Sequence, residues 1–319
     1  MAKNKGVNAA AMAALLQLAA GSGGAAPAFV YLRGYPGDIL YADGSRTLDI
    51  TPPGFARKAG NPSVSPDGKR VVFPANLDDN WDLYLGEFDG SRLAGVRPLT
   101  RTPRDREEDP RFSPDGKRIA YRGGSNASSR IFIHELSTGR SRQVTTDAAG
   151  EEWAPAFSPD GKWLAFTRGT SRTEPRADVY LVPVSGGPAR RLTYNGGVDW
   201  YPSFCADGTL VYVSQRGDGN DDDLYAIPPG RLGEPRPDDF ARRLPVNSHA
   251  SEADPVCFAE GGAGLAYVSN ASGRYAVYIW APPAAASAAA SDPGGDLLGP
   301  VIIAGGKPKA AAEQDTARN

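Results

Sequence analysis

The stretch Asp109-Pro110-Arg111-Phe112-Ser113-Pro114-Asp115-Gly116-Lys117 returns several times along this chain and decides its fold. Close copies lie at residues 61–69 and 154–162, and degenerate copies lie at residues 201–209 and 254–261. The spacings between copies are 48, 45, 47 and 54 residues, counted along the aligned positions Val64, Phe112, Phe157, Phe204 and Phe258. A period of this length is typical of one β-propeller blade.

Each repeat supplies four short strands. An inner strand leads into Pro-Asp-Gly, a turn in which proline presets φ, aspartate binds the following backbone and glycine accepts a positive φ. The second strand is apolar on both faces, as in residues 163–166, so neighbouring layers must cover it. An Asp-aliphatic-Tyr strand, such as residues 178–180, and a fourth strand ending near Thr193 complete the unit. We therefore predict blades of four antiparallel strands.

A partial repeat at residues 29–51 adds strands two to four of a further blade, which makes the prediction an all-β, six-bladed propeller. The last apolar run, Gly299–Ile303, is expected to close the ring as the inner strand of the first blade or as the outer strand of the last. One terminal blade is then three-stranded. The predicted boundaries are a signal-like or disordered leader at 1–28, one propeller domain at 29–306 with an Ala-rich insert at about 281–295, and a disordered tail at 307–319.

The first 28 residues resemble a secretory signal. Lys3 and Lys5 precede an apolar run from Ala9 to Ala20, and small residues follow at 26–28. This pattern predicts a periplasmic or extracellular protein. The alternative is an Ala-rich disordered or helical leader on a cytoplasmic protein.

Composition disfavours several classes of function. The 319 residues carry a formal net charge of −2, which is unlike a nucleic-acid-binding protein. Two His and two Cys residues are too few for a structural zinc site, and we expect no cofactor, although a structural cation such as calcium in the channel stays open. Cys205 follows the aligned Phe204, whereas Cys257 precedes the aligned Phe258, so both side chains are expected on the same face of their inner strands, where they cannot face each other. We therefore predict that they form no disulfide. We also expect no membrane insertion.

The phrase Phe-Ser-Pro-Asp-Gly-Lys, with the apolar strand and the Asp-aliphatic-Tyr strand that follow it, resembles the TolB-type β-propeller repeat. The resemblance covers residues 29–280. TolB is a periplasmic protein with an α/β domain before a six-bladed propeller, and the resemblance implies the propeller alone. Related propellers cover the hydrolase domain of the prolyl oligopeptidase group, and oligogalacturonate lyases of the same propeller family use a His-rich metal site.

Catalytic groups are scarce in the sequence. His134 and His249 are the two histidines, and both are expected on the surface, since neither accompanies a nucleophile motif such as Gly-x-Ser-x-Gly. The sequence also lacks the histidines of the lyase metal site. We therefore predict no catalytic residues and a protein that is not an enzyme.

The candidate binding residues lie in the loops that enter the inner strands, at one mouth of the central channel. They are acidic or aromatic, and they are Glu107, Glu108, Asp109, Glu152, Trp153, Asp199, Trp200, Tyr201, Glu252 and Asp254. An acidic rim with aromatic side chains suits a basic or amphipathic peptide, or a cation in the channel. The alternative interpretation is that the acids cap loop amides and that the aromatic rings pack between blades.

These observations predict a monomeric, non-enzymatic propeller that recognises a protein or peptide at the channel mouth. One alternative is a hydrolase or lyase that uses carboxylates in the channel. Another is a scaffold or accessory subunit, and a third is a propeller in which calcium has a structural role alone.

Overall fold

The computed structural model of the protein describes residues 16–18, 28–42, 46–125, 128–146, 150–169, 176–216, 221–247, 251–258, 264–269 and 276–280. These residues form successive antiparallel sheets in which each strand pairs with the next along the chain. Two short 3-10 turns, Pro229–Arg231 and Pro237–Phe240, lie in the connection between strands of the fifth sheet.

The first sheet contains β1 (Leu16–Leu18), β2 (Ala28–Gly34), β3 (Gly37–Ala42) and β4 (Thr47–Asp49). The second contains β5 (Ser63–Val64), β6 (Arg70–Leu77), β7 (Asn80–Phe88) and β8 (Leu93–Pro98). The third contains β9 (Glu108–Phe112), β10 (Arg118–Gly123), β11 (Arg130–Glu135) and β12 (Arg140–Gln143). The fourth contains β13 (Glu151–Phe157), β14 (Trp163–Gly169), β15 (Ala177–Pro183) and β16 (Arg190–Arg191). The fifth contains β17 (Asp199–Phe204), β18 (Leu210–Ser214), β19 (Asp223–Ile227) and β20 (Arg242–Arg243), and the last contains β21 (Glu252–Phe258), β22 (Gly264–Ser269) and β23 (Ala276–Trp280).

The all-β propeller with antiparallel sheets is confirmed. Five sheets are complete four-stranded blades, and the last sheet, β21 to β23, has three strands among the described residues. Six blades were predicted, one terminal blade with three strands; the described residues form five four-stranded blades, so the count of six complete units is not reached. The run at 299–303, the insert at 281–295 and the tail at 307–319 lie outside the described residues.

The first sheet obtains its edge strand from a segment that the sequence did not assign. Leu16–Leu18 pairs antiparallel with Ala28–Val30, and this strand, β1, lies against the inner strand β5 of the second sheet. The sequence placed residues 16–18 in the leader, because the apolar run there is short and rich in alanine, as a signal peptide is. A strand of three residues is too short to be recognised by alternation.

The Pro-Asp-Gly turns form as their residue types require. In the third sheet Ser113 Oγ donates to Asp115 Oδ1 at 2.5 Å, and the N–H of Lys117 donates to the same oxygen at 3.0 Å. The Ser113 hydroxyl also accepts the N–H of Arg118 at 3.0 Å, which fixes the start of β10. Gly116 has a φ of 66°, the left-handed region that favours glycine. The same bonds recur at Ser65 and Ser158.

The second strands form the hydrophobic layers between blades. In β14, Leu164, Ala165 and Phe166 have no solvent exposure, as expected for a strand that is apolar on both faces. Leu164 and Phe166 pack with Ile131 and Ile133 of the preceding blade, whereas Ala165 packs with the following one. Each blade is therefore held by apolar contact with its neighbours.

A disulfide joins the fifth and last sheets. Cys205 and Cys257 are bonded, with Cα atoms 4.8 Å apart, so the prediction of two unpaired cysteines is wrong. The phase argument assumed that both lie in strands, where side chains alternate. Cys257 lies in β21, but Cys205 follows the end of β17 and begins the turn, where its carbonyl accepts the N–H of Gly208. The turn sets the direction of the Cys205 side chain.

Candidate functional site

A bulge occurs at the same place in four inner strands. The pairing register shifts in β9, β13, β17 and β21 at the residue before the inner-strand proline. The four residues there have φ values of 54°, 50°, 49° and 48°, and they are Asp109, Ala154, Tyr201 and Asp254. A bulge redirects a side chain out of the regular alternation, and a non-glycine residue in this region costs about 1–3 kcal/mol.

Three of these residues line a central cavity of about 230 Å³, together with Arg111 and the ends of the inner strands. The described wall comes from β5, β9, β13, β17 and β21, and it includes Tyr201, Ser203 and Asp254. Prolines 202 and 255 are also part of the wall.

Asp254 is the most unusual group in the cavity. The residue is 7% exposed, and its Oδ2 accepts no hydrogen bond from any described residue. Burial raises the pKa of its carboxyl to about 7; Arg111 opposes the rise, and Asp109 and Asp222 add to it. At neutral pH a proton or a bound cationic group would therefore be needed to satisfy this carboxyl.

Arg111 is the cation on the same wall. Its Nη1 donates to the carbonyl of Pro110 at 3.0 Å. Burial lowers the pKa of this guanidinium, while Asp109, Asp254 and Tyr201 oppose the change. The Asp109 carboxylate accepts the N–H of Ala154 at 3.2 Å and thereby links two neighbouring inner strands.

An acidic residue lies two positions before each of these bulges, and Glu152 illustrates the hydrogen bonds that such a residue accepts. Glu152 has no solvent exposure, and the Nε and Nη2 atoms of Arg168 donate to its Oε1 at 2.9 and 2.7 Å. The hydroxyl of Thr145 donates to Oε2 and also accepts the N–H of Ile131 at 3.1 Å. Glu152 therefore connects its inner strand to the third and fourth strands of the preceding blade.

The equivalent acids are buried in the same way. Glu107 is 2% exposed and accepts hydrogen bonds from Thr100 and Thr102, and burial raises the pKa of its carboxyl to about 8. Asp199 has no exposure and accepts a bond from Asn195, and burial raises its pKa as well. Glu252 is 1% exposed and accepts the Ser269 hydroxyl at 3.1 Å. The sequence predicted these four acids on an exposed rim. They lie inside the fold instead, where they accept hydrogen bonds from hydroxyl, amide and guanidinium groups.

The remaining predicted residues divide between packing and the channel. Glu108 is 1% exposed and pairs with Arg122 and with Arg106. Trp153 is 2% exposed and belongs to the packing between blades. Trp200 is half-buried and lies 5.9 Å from Tyr201 between ring centroids. Of the predicted set, Tyr201 and Asp254 line the cavity.

The histidines do not make a catalytic site among the described residues. His134 is 3% exposed, against the expectation of a surface residue, and its Nδ1 lies 3.0 Å from Ser141 Oγ. Burial lowers the pKa of His134. His249 lies outside the described residues. Within the described ranges, no three His, Cys, Asp or Glu side chains come together as metal ligands would.

Sequence reasoning missed Arg111 and Ser203 as channel residues. Both follow an inner-strand proline, and the register shift at the bulge decides which of these positions faces the cavity. The repeated X-Pro dipeptide could have indicated the bulge, because proline interrupts the hydrogen-bonded pairing of a strand. The residue after each proline would then have been a candidate for the channel wall.

The repeated blades around one cavity define the chain as a β-propeller. The TolB beta propeller domain family matches residues 106–228. A curated relative, the Protein TolB homolog of Chlorobium chlorochromatii (strain CaD3), is 26% identical over 153 residues, which are 47% of this chain and 32% of the relative. The matched region thus spans about a third of that relative's length. Over residues 106–228 the chain is therefore similar to TolB-type β-propellers.

Solved structures agree in fold. TolB from Acinetobacter baumannii has a TM-score of 0.59 and 20% identity, over 84% of this chain and 60% of that one. A structure from a study of two prolyl endopeptidases has a TM-score of 0.52 and 18% identity, over 84% of this chain and 41% of that one. Propellers of this fold therefore occur both in TolB and in peptidases. Among the described residues, no helix reaches the length and hydrophobicity of a membrane span.

Proposed function

We propose that this chain is a non-enzymatic binding propeller that recognises a protein or peptide in the central channel. The observation that carries the proposal is the cavity of about 230 Å³ lined by Asp254, whose buried Oδ2 accepts no hydrogen bond from any described residue. Arg111 and the aromatic ring of Tyr201 lie on the same wall. A concave wall that combines apolar surface with a few directed polar groups is typical of a binding site.

The binding site proposed here is narrower than the rim that the sequence indicated. Glu107, Glu152, Asp199 and Glu252 are bonded inside the fold, so their contribution to binding is indirect, through the position of the inner strands. Direct contact is assigned to Tyr201, Asp254 and the channel residues beside them.

We also propose a blade count, an oligomeric state and a compartment for the protein. The three-stranded sheet β21 to β23 is the sixth blade of the ring, and the protein acts as a monomer in the periplasm or outside the cell. The disulfide between Cys205 and Cys257 supports this location, because disulfides persist in oxidising compartments. The likeness to TolB points the same way.

A displayed random peptide library tests the proposed site. Ser203 lies in β17 on the cavity wall, so Ser203→Trp places an indole in the channel. Ser137 is exposed in a distant turn, and Ser137→Trp is the matched control. We expect peptides that bind the wild type and Ser137→Trp but not Ser203→Trp. Peptides that bind all three proteins equally, or no enriched peptide, would contradict the proposal.

A further inference from the structure

The wall of the channel is short of hydrogen-bond donors at one place. Asp254 Oδ2 is buried and accepts no bond from any described residue. Asn61 occupies the equivalent position before Pro62 in the second blade, outside the residues that line the cavity; it is 5% exposed, and its Oδ1 also lacks a described donor. Buried acceptors without donors are rare in folded proteins. A ligand that supplies donors would remove this deficit.

The charges around Asp254 favour a cation. The groups that act on it electrostatically are Asp109, Asp222 and Arg111, so the Asp254 carboxylate shares its surroundings with two acids and one guanidinium. Arg111 donates to the Pro110 carbonyl, and no ion pair of Arg111 with Asp254 occurs among the described residues. The balance is therefore negative when the three carboxyl groups are ionised.

The same surroundings favour a monovalent organic cation over a metal ion. Arg111 lies on the wall of this cavity and repels a dication about twice as strongly as a monocation. A calcium ion also requires six to eight oxygen ligands. An ammonium group carries three donors, and a guanidinium carries five, which suits an isolated carboxylate acceptor. The apolar residues Pro255 and Val256 can contact the aliphatic part of such a side chain.

Resting on the proposed function, we infer that the peptide bound in the channel places a lysine or arginine side chain against Asp254. The carboxylate oxygen that lacks a donor in the fold accepts the N–H of this side chain. Recognition then selects for a basic residue at one position of the peptide.

The first experiment uses the channel-dependent peptides from the library. We expect a lysine or arginine at one fixed position, and replacing it by norleucine should weaken binding by about ten-fold in calorimetry. Asp254→Asn should weaken the basic peptide to a similar degree and leave the norleucine peptide unchanged. Asparagine tolerates the left-handed backbone of residue 254, so this variant is compatible with the fold. Asp239→Asn, at an exposed position, is the control.

Channel-dependent peptides without a fixed basic residue would overturn this inference and leave the proposed function intact. An equal loss for both peptides in Asp254→Asn would also overturn it.

A second experiment needs no peptide. The melting temperature of the full chain is measured with n-butylammonium chloride, with calcium chloride and with sodium chloride, at equal ionic strength. We expect n-butylammonium to raise the melting temperature of the wild type and of Asp239→Asn, but not of Asp254→Asn. A rise with calcium that depends on Asp254, or no Asp254-dependent rise with n-butylammonium, would overturn the inference.

Discussion

Replacing Asp254 by asparagine should change how the stability of the protein depends on pH. The ordinary pKa of an Asp carboxyl is 3.8, and burial raises that of Asp254 to about 7 in the folded protein. A difference of this size is equivalent to about 4 kcal/mol in free energy of unfolding. Asp254 is only 7% exposed, so solvent screening reduces this figure little.

The sign follows from which state binds the proton. Below pH 3.8 the carboxyl of Asp254 is neutral in both the folded and unfolded chain, and its burial carries no charge penalty. Between pH 3.8 and about 7 the unfolded chain ionises while the folded chain keeps the proton, so the folded state loses stability as pH rises. Asparagine cannot ionise. Asp254→Asn should therefore gain stability relative to the wild type, by about 4 kcal/mol between pH 4 and pH 8.

Urea unfolding followed by tryptophan fluorescence, at intervals from pH 4 to pH 8, measures this difference. Asp115→Asn is a control with the opposite sign, because the Ser113 hydroxyl lowers the pKa of Asp115. That control should be less stable than the wild type throughout this range. Parallel pH profiles for Asp254→Asn and the wild type would refute the account of Asp254 as a buried, unpaired carboxyl.

Thr145→Ala should lower the free energy of unfolding by about 1–3 kcal/mol in urea titrations, since it leaves buried partners unsatisfied, whereas the exposed Thr138→Ala should change little. Reduction of Cys205 and Cys257, which are 52 residues apart, should cost about 4 kcal/mol, and an unchanged melting temperature with dithiothreitol would contradict this. Glu107→Gln should gain stability over the wild type as the pH rises from 4.5 to about 8 and keep that gain above pH 8, because burial raises the pKa of Glu107 to about 8; greater stability of the wild type at pH 9 would refute it.

The blade pattern was accessible from sequence because its determinants are local. Proline, aspartate and glycine set the hairpin turn within a few residues, as the bonds of Ser113 and Asp115 illustrate. The apolar second strands likewise identify buried layers from composition alone. The regular spacing of these turns then identifies the repeat, and the length of the repeat predicts a propeller blade.

The position of the acidic residues depended on contacts between blades. Glu152 follows Thr145 by seven residues, and the same spacing separates Glu107 from Thr100, yet only the packing of neighbouring blades shows that each threonine hydroxyl bonds the acid. A loop that enters a strand is usually exposed, and that expectation placed these acids on a rim. Their threonine partners place them inside the fold instead.

The residues that line the channel could not be predicted from sequence without knowing where the inner strands bulge. A shift of one residue changes the face on which a side chain lies, and the left-handed backbone of Asp254 produces such a shift before Pro255. Alternation also failed for Cys205, because it lies in a turn.

The central claim is that the channel itself binds the partner. Calorimetric titration of one library-selected peptide into Ser203→Trp and into Ser137→Trp tests it most directly. The account predicts wild-type affinity for Ser137→Trp and at least about a ten-fold loss for Ser203→Trp, because the indole occupies the cavity. Equal affinity of the two variants would contradict it.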